Sequence, residues 1–206
     1  MRITKPARPV AFTIILVAFT TFVSCRGREE SAGETDSAGL VTRPTADSGT
    51  VDLGALSDPN RYSVLALING EEILAAQAAE RKARSDDVKQ FAQDMIRDHR
   101  AFQHAADSLA LAKNVTPVSP PVVDSMQARM KSVRDSIGGL TGAEFDRAYM
   151  QSQVQAHQQA LGAIRSLAGA AQDTTLRNLL ERGSETVQDH LERARSISAG
   201  LGGKTS

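Results

Sequence analysis

Apolar residues recur every three or four positions in four long stretches of this chain, which is the spacing of one face of an α-helix. The clearest stretch covers residues 91–109, and the others cover 57–83, 145–168 and 176–197. No stretch shows the strict alternation of apolar and polar residues that a half-buried strand requires. The pattern therefore predicts an all-α fold. The apolar positions of the clearest stretch are Phe91, Met95, Phe102, Ala106 and Leu109.

The breaks between these stretches predict how the helices connect. Only a few residues around Arg84 separate the first two helices, and residues 169–173 separate the last two, so each pair is expected to form an antiparallel hairpin. The middle connection is longer and contains a shorter amphipathic segment, Val123 to Ile137. We interpret this segment as a crossover helix. The sequence thus predicts a four-helix bundle over residues 57–199 with one short additional helix.

Helix starts carry the side chains that commonly cap the first turn, whose N–H groups have no partner within the helix. One of them is a full capping box, in which two side chains bond each other's backbone N–H groups. The glycine-rich tail, residues 200–206, is expected to fray. The candidate caps are Ser57, Ser85, Asp173 and the capping box Thr141 with Glu144.

The N-terminus has the features of an export signal. A basic start precedes the apolar run Val10–Val23, which is shorter than the roughly 20 residues that span a membrane. Ser24 directly before Cys25 resembles a bacterial lipobox, although Phe22 stands where leucine is usual. Residues 1–24 are therefore predicted to be a lipoprotein signal peptide, and Cys25 the lipidated residue. A plain signal peptide, or an uncleaved anchor with an incidental cysteine, is the alternative.

Residues 25–56 are predicted to be the lipidated cysteine and a flexible tether. This segment is rich in Ser, Gly, Thr, Asp and Glu and has no sustained apolar period. Its length would hold the domain about 30 Å from the lipid head groups. Arg26 is not the aspartate that retains lipoproteins at the inner membrane. We therefore expect a periplasm-facing lipoprotein of the bacterial cell envelope, with the outer membrane favoured and the membrane contacted through the lipid anchor.

Composition excludes some partners. The 24 basic and 24 acidic side chains give a formal net charge of +0, so no overall field attracts nucleic acid. Aromatic residues make up only 4% of the chain, which leaves no platform on which bases could stack. No nucleic-acid partner is expected. Cys25 is the only cysteine, so the exported domain can form no internal disulfide.

Four polar residues occupy apolar-stripe positions, one near the middle of each long helix: Glu72, His99, His157 and His190. Residues at mid-helix on inward faces meet near the middle of a bundle. Neutral imidazoles and a carboxylate are ligands for zinc, iron or copper. The pattern therefore predicts an interior metal site. The adjacent Glu71 is expected to face water.

Two aspartates adjacent in sequence to histidines, Asp98 and Asp189, are candidates for the groups that hold metal-bound imidazoles in place. Because neighbouring residues on a helix point about 100° apart, we expect them at the rim of the site. His104 lies off the apolar stripe and is expected to be exposed.

The same residues allow less specific interpretations. Buried histidines often form a structural polar network, and together with Glu72 they could serve only to align the helices. An apolar or haem-like ligand between the helices is a third possibility. No Glu-x-x-His pair precedes the histidines, no phosphate loop is present and no hydrolase triad is indicated. The sequence therefore predicts no reaction, and an enzyme is not favoured.

Three sequence runs resemble one known family. Residues 88–99, VKQFAQDMIRDH, resemble the run V-K-x-F-A-x-x-M-I-x-D-H of the domain of unknown function 4142 family. Residues 145–150, FDRAYM, with His157 beyond them, resemble its second run, and His190–Leu191 resembles its closing H-L. Glu72 stands where that family has a glutamate in its first helix. The resemblance covers roughly residues 58–197.

The resemblance implies a ferritin-like bundle that is exported and described as an outer-membrane protein of bacteria. The family's molecular function is not established, so the resemblance implies no catalytic role. Two hypotheses follow for this chain. One is a lipid-anchored bundle that binds a metal ion inside, and the other is a structural or protein-interaction module of the envelope, acting with an envelope protein or as a homo-oligomer.

Overall fold

The computed structural model describes residues 52–203, and five α-helices account for most of them. Within this part of the chain no strand forms, so the predicted all-α bundle with a shorter crossover helix is confirmed. The predicted signal peptide, Cys25 and most of the predicted tether lie outside the described residues. The helices are α1 (Asp58–Lys82), α2 (Asp86–Ala112), α3 (Val122–Gly138), α4 (Gly142–Ala170) and α5 (Thr174–Gly202).

The four long helices pack in a square. α1 packs against α2, α2 against α5, α5 against α4, and α4 against α1. The most extensive contacts lie within the pairs α1–α2 and α4–α5, and only three residues join the helices of each pair. Each pair is therefore an antiparallel hairpin, and the bundle consists of two hairpins linked by α3.

Two apolar clusters fill the interior, one toward each end of the bundle. The Tyr62 cluster contains residues from the start of α1, the end of α2, the end of α4 and the start of α5. The Phe91 cluster contains residues from the opposite ends of the same helices. Burying one large apolar side chain stabilises a fold by roughly 1.5–3 kcal/mol. The fully buried aromatic residues Phe91, Phe145 and Tyr149 all belong to the Phe91 cluster.

A layer of buried polar residues occupies the middle of the long helices, close to where the two clusters meet. We call it the polar layer, and all its members are at most 8% exposed. Every long helix contributes to it, so it crosses the whole bundle. The polar layer consists of Asn69, Glu72, His99, Gln153, His157 and His190.

The crossover helix α3 lies outside this core. None of its residues is buried, and it packs against α1 and α4. Its attachment is partly polar, because Arg134 donates to the carboxylate of Glu71 and Lys82 donates to the carbonyl oxygen of Gly138. The expectation that Glu71 faces water is therefore wrong. Its ion pair with Arg134 offsets part of the cost of burying its charge.

Two of the four predicted helix caps form. The Ser57 hydroxyl accepts from the Asn60 N–H, and the Asp173 carboxylate accepts from the N–H groups of Thr175 and Leu176. Ser85 and Thr141 accept no such bond through their side chains.

The starts of α2 and α4 differ from prediction in their hydrogen bonds. The carboxylate of Asp146 accepts from the backbone N–H groups of Arg84 and Ser85, at 3.0 and 2.8 Å. Helix α4 begins at Gly142, directly after Thr141, but the Thr141 side chain accepts no hydrogen bond, and Gly142 has a φ of 62°, which glycine adopts without strain. The predicted capping box of Thr141 and Glu144 is therefore wrong.

The bundle domain extends beyond both of its predicted ends. Residues 53–55, assigned to the tether, form a short 3-10 helix that Asp52 caps, and Leu53 and Leu56 pack against the Tyr62 cluster. At the other end α5 continues to Gly202, so residues 200–202 of the predicted frayed tail are helical. Across residues 52–203, no helix combines the length and apolarity needed to cross a membrane.

Candidate metal centre

The structure brings the three predicted interior histidines together. The ring centroids of His157 and His190 are 5.5 Å apart, those of His99 and His190 5.7 Å, and those of His99 and His157 6.3 Å. One ring nitrogen from each histidine lies within 4.8 Å of those of the other two. Nitrogen ligands of one tetrahedral zinc ion are about 3.3 Å apart. The three nitrogens are therefore close enough for small ring movements to bring them around one ion.

His99 is held by a chain of side-chain amides. Its Nδ1 lies 2.9 Å from the Oδ1 of Asn69, and because an amide oxygen only accepts, Nδ1 carries the proton. The Nδ2 group of Asn69 donates in turn to Gln103 over 3.0 Å, which fixes the orientation of the amide. Gln103 donates to Asp107 at the surface over 2.7 Å. The Nε2 of His99 is therefore unprotonated.

The other two histidines are held in the same manner by different acceptors. His157 Nδ1 donates to the backbone carbonyl of Gln153, one helical turn earlier, over 2.9 Å. His190 Nε2 donates to the carboxylate of Asp98 on α2, over 3.0 Å. Each ring thus uses one nitrogen as a donor to an oxygen atom. Metal-ligating histidines are commonly held by such a bond, which orients the ring and makes the other nitrogen a better ligand.

Burial disfavours the charged form of two of these imidazoles, His99 and His190. Removal from water, reinforced by the neighbouring rings of His157 and His190, lowers the pKa of His99 to about 3. Burial also lowers the pKa of His190, although its hydrogen bond with Asp98 acts in the opposite direction. Neutral imidazole is the form that binds a metal ion.

Several buried polar atoms in this region lack a partner. Within residues 52–203, no group forms a hydrogen bond with His99 Nε2, His190 Nδ1 or Glu72 Oε2, and all three atoms are buried. A buried polar atom without a partner costs roughly 1–3 kcal/mol. A bound cation would supply the missing partner to both nitrogen atoms.

The predicted supporting aspartates have different environments. Asp98 is partly buried and accepts from His190 of another helix, and also from Arg97. Burial raises the pKa of Asp98, but the bonds from Arg97 and His190 lower it more, so the pKa is below its usual value. Asp189 is exposed and no bond connects it to the histidines. His104 is exposed, as expected.

Sequence reasoning did not identify Asn69, Gln153 or Tyr149 as members of this region. Asn69 precedes Glu72 by three positions on the same helix face, a spacing that could have identified it. Tyr149, Gln153 and His157 follow one another at intervals of four on α4. Burial, together with the negative charge of Glu72, raises the pKa of Tyr149 well above that of a free phenol. Tyr149 is therefore a neutral neighbour of the site.

A cavity of about 230 Å³ adjoins the histidines. Glu72, Asp98 and all three histidines are part of its wall. The exposed residues Ala101 of α2 and Thr186 of α5 also belong to the wall, so the cavity opens to solvent between these two helices. The apolar part of the wall includes Leu65, Ile68, Phe102, Ile164, Leu167 and Val187.

Comparison with known proteins gives one match. Residues 43–197 match the model of a family described as a domain of unknown function (DUF4142). No curated protein and no solved structure matches the chain. The ferritin-like architecture that the resemblance implies stays a prediction.

Proposed function

The chain belongs to the DUF4142 family, whose description names no activity, and we propose that it binds a divalent transition-metal ion through His99, His157 and His190. One observation carries the proposal: each histidine uses one ring nitrogen in a hydrogen bond to an oxygen acceptor, which leaves its other nitrogen as the available ligand atom. Three imidazoles suit zinc, copper or iron, and copper is expected to bind most tightly because it leads the affinity order of divalent ions.

Glu72 supports the site without being one of the three clustered ligands. Its carboxylate lies in the wall of the same cavity, and its Oε2 is buried without a hydrogen-bond partner among the described residues. The negative charge of this group offsets part of the positive charge that an ion brings into the bundle. We assign it the role of a charge partner and an acceptor for a molecule bound to the ion.

A purely structural polar layer is less well supported. A structural network stabilises a core when all its members are hydrogen-bonded. Here the buried nitrogens of His99 and His190 lack partners within residues 52–203.

The test is elemental analysis of protein purified without chelator and then titrated with zinc, copper or iron. We expect one ion per chain for the native protein and for His104→Ala, because His104 is exposed and outside the cluster. The variant His157→Ala should lose the ion. If the native protein binds no metal and His157→Ala differs from it only by a lower Tm, the polar layer is structural and the proposal is wrong.

We further propose that the protein is exported and anchored to the bacterial envelope through lipid on Cys25. The basic start, the 14-residue apolar run and Ser24 before Cys25 support this. In a bacterial host, the native chain should incorporate labelled fatty acid and sediment with membranes, and Cys25→Ser should do neither. Fatty-acid labelling of Cys25→Ser at the native level would contradict the anchor.

A further inference from the structure

The metal centre has room for a molecule that does not belong to the protein. Three protein ligands leave a tetrahedral ion with one open position, which is the arrangement of catalytic rather than structural zinc sites. His99, His157 and His190 all border the cavity of about 230 Å³, so this open space adjoins the proposed ion. A fourth ligand could reach the ion from there.

The size of the cavity limits that ligand. An engineered apolar cavity of about 150 Å³ holds one benzene molecule, whereas sites for drug-sized molecules measure roughly 300–1,000 Å³. A volume of about 230 Å³ therefore suits a single ring with a small substituent. The haem-like ligand considered from the sequence is too large.

Charge limits the ligand further. The carboxylates of Glu72 and Asp98 are part of the wall and repel an anion, although Asp98 is also paired with Arg97. Apolar side chains such as Leu65, Ile68 and Ile164 make burial of a charged ligand costly.

We propose that the cavity admits a small neutral nitrogen heterocycle, whose ring packs against the apolar wall and whose lone pair binds the metal ion. The inference rests on the proposed metal binding. Entry is between α2 and α5, past Ala101 and Thr186, because these are the exposed residues of the wall.

The experiment uses full-length protein loaded with cobalt(II), whose visible spectrum reports the ligands around the ion, and pyridine as the probe. We expect pyridine to change the spectrum in a saturable manner. At equal cobalt occupancy, Thr186→Trp should weaken pyridine binding at least tenfold, because a large side chain narrows the entrance. Thr174→Trp, exposed on the same helix and outside the cavity, is the matched control.

The outcomes separate this inference from the proposed function. If cobalt binds but pyridine leaves the spectrum unchanged, only the inference is wrong. If neither Thr186→Trp nor Ala101→Trp weakens pyridine binding, the ligand does not enter between α2 and α5. If azide binds more tightly than pyridine, the proposal of a neutral ligand is wrong. If no cobalt binds, the proposed metal binding is wrong, and so is this inference.

Discussion

At the scale of single residues, the chemistry of the site depends on hydrogen bonds that join different helices. The inward positions of the three histidines follow from helical spacing, and they could be predicted from the sequence. The acceptors of His99 and His190 could not, because Asn69 and Asp98 reach them across helix interfaces. Such pairings depend on the rotation and axial offset of packed helices, which spacing along one helix does not specify.

Asp98→Asn should weaken zinc binding by about 10- to 100-fold, because the neutral amide is a poorer acceptor for His190 and orients its ring less firmly. Competition with a chromogenic chelator measures this change. Asp189→Asn removes the same charge from an exposed neighbour of His190 and should leave affinity within about twofold. Equal losses in both variants would indicate a general effect of charge instead.

A second residue-scale prediction concerns the packing of α5. A Cβ atom at Gly183 would lie 2.5 Å from Phe102 Cε2 and 2.9 Å from Ile164 Cδ1. Gly183→Ala should therefore lower the free energy of unfolding by about 1–3 kcal/mol through overpacking. Gly162→Ala on α4 meets no atom within 4 Å and should instead raise it by up to about 1 kcal/mol. Urea unfolding compares the two, and a stabilising Gly183→Ala would contradict the close contact.

At the scale of helices, the sequence predicts interiors well and ends less well. Apolar spacing extends along a whole helix, so many residues support the prediction of that helix, whereas a cap depends on a few atoms. Ser57 and Asp173 cap as predicted, but the Ser85 side chain does not, and the backbone N–H of Ser85 itself donates to Asp146 of α4. The acceptor is 61 residues away in sequence, so no local pattern could identify it.

The cap of α5 gives stability that depends on pH. Hydrogen bonds from Lys113 and from the N–H groups of Leu176 and Thr175 lower the pKa of Asp173 from 3.8 to about 2. A lowered carboxyl pKa contributes stability that is complete above the unfolded value and is lost as the pH falls toward the folded one. The difference in Tm between native protein and Asp173→Asn should be constant above about pH 5 and shrink between pH 3.8 and 2.

The control for this series is Asp124→Asn, which removes a negative charge from an exposed first-turn position of α3. A Tm difference for Asp173→Asn that stays the same down to pH 2 would show that the charge of Asp173 contributes nothing through its hydrogen bonds.

At the scale of the whole molecule, the polar layer is divided between the two hairpins. Glu72 and His99 belong to α1–α2, and His157 and His190 belong to α4–α5. Neither hairpin alone has the three histidines, so the proposed ion would bind only after the hairpins have packed together. Interactions that form after the folding transition state slow unfolding and leave the folding rate unchanged.

Zinc at about 100 times its dissociation constant should therefore stabilise the protein by about 2.7 kcal/mol, almost all of it as a roughly 100-fold slower unfolding rate. Stopped-flow unfolding and refolding in denaturant, with and without zinc, measures both rates. His157→Ala should show no zinc effect. Faster refolding with zinc would place ion binding before the hairpins pack.

The same division has a consequence for the lifetime of the protein outside the cytoplasm, where export is proposed to take it. Neither apolar cluster contains a histidine of the proposed site, so we expect the chain to reach its native structure whether or not metal is available. Metal bound later would hold the two hairpins together. The partial unfolding that exposes the chain to proteases would then occur less often. Degradation of the loaded protein would then follow metal supply, and the abundance of this protein in the envelope would rise and fall with the ion it holds.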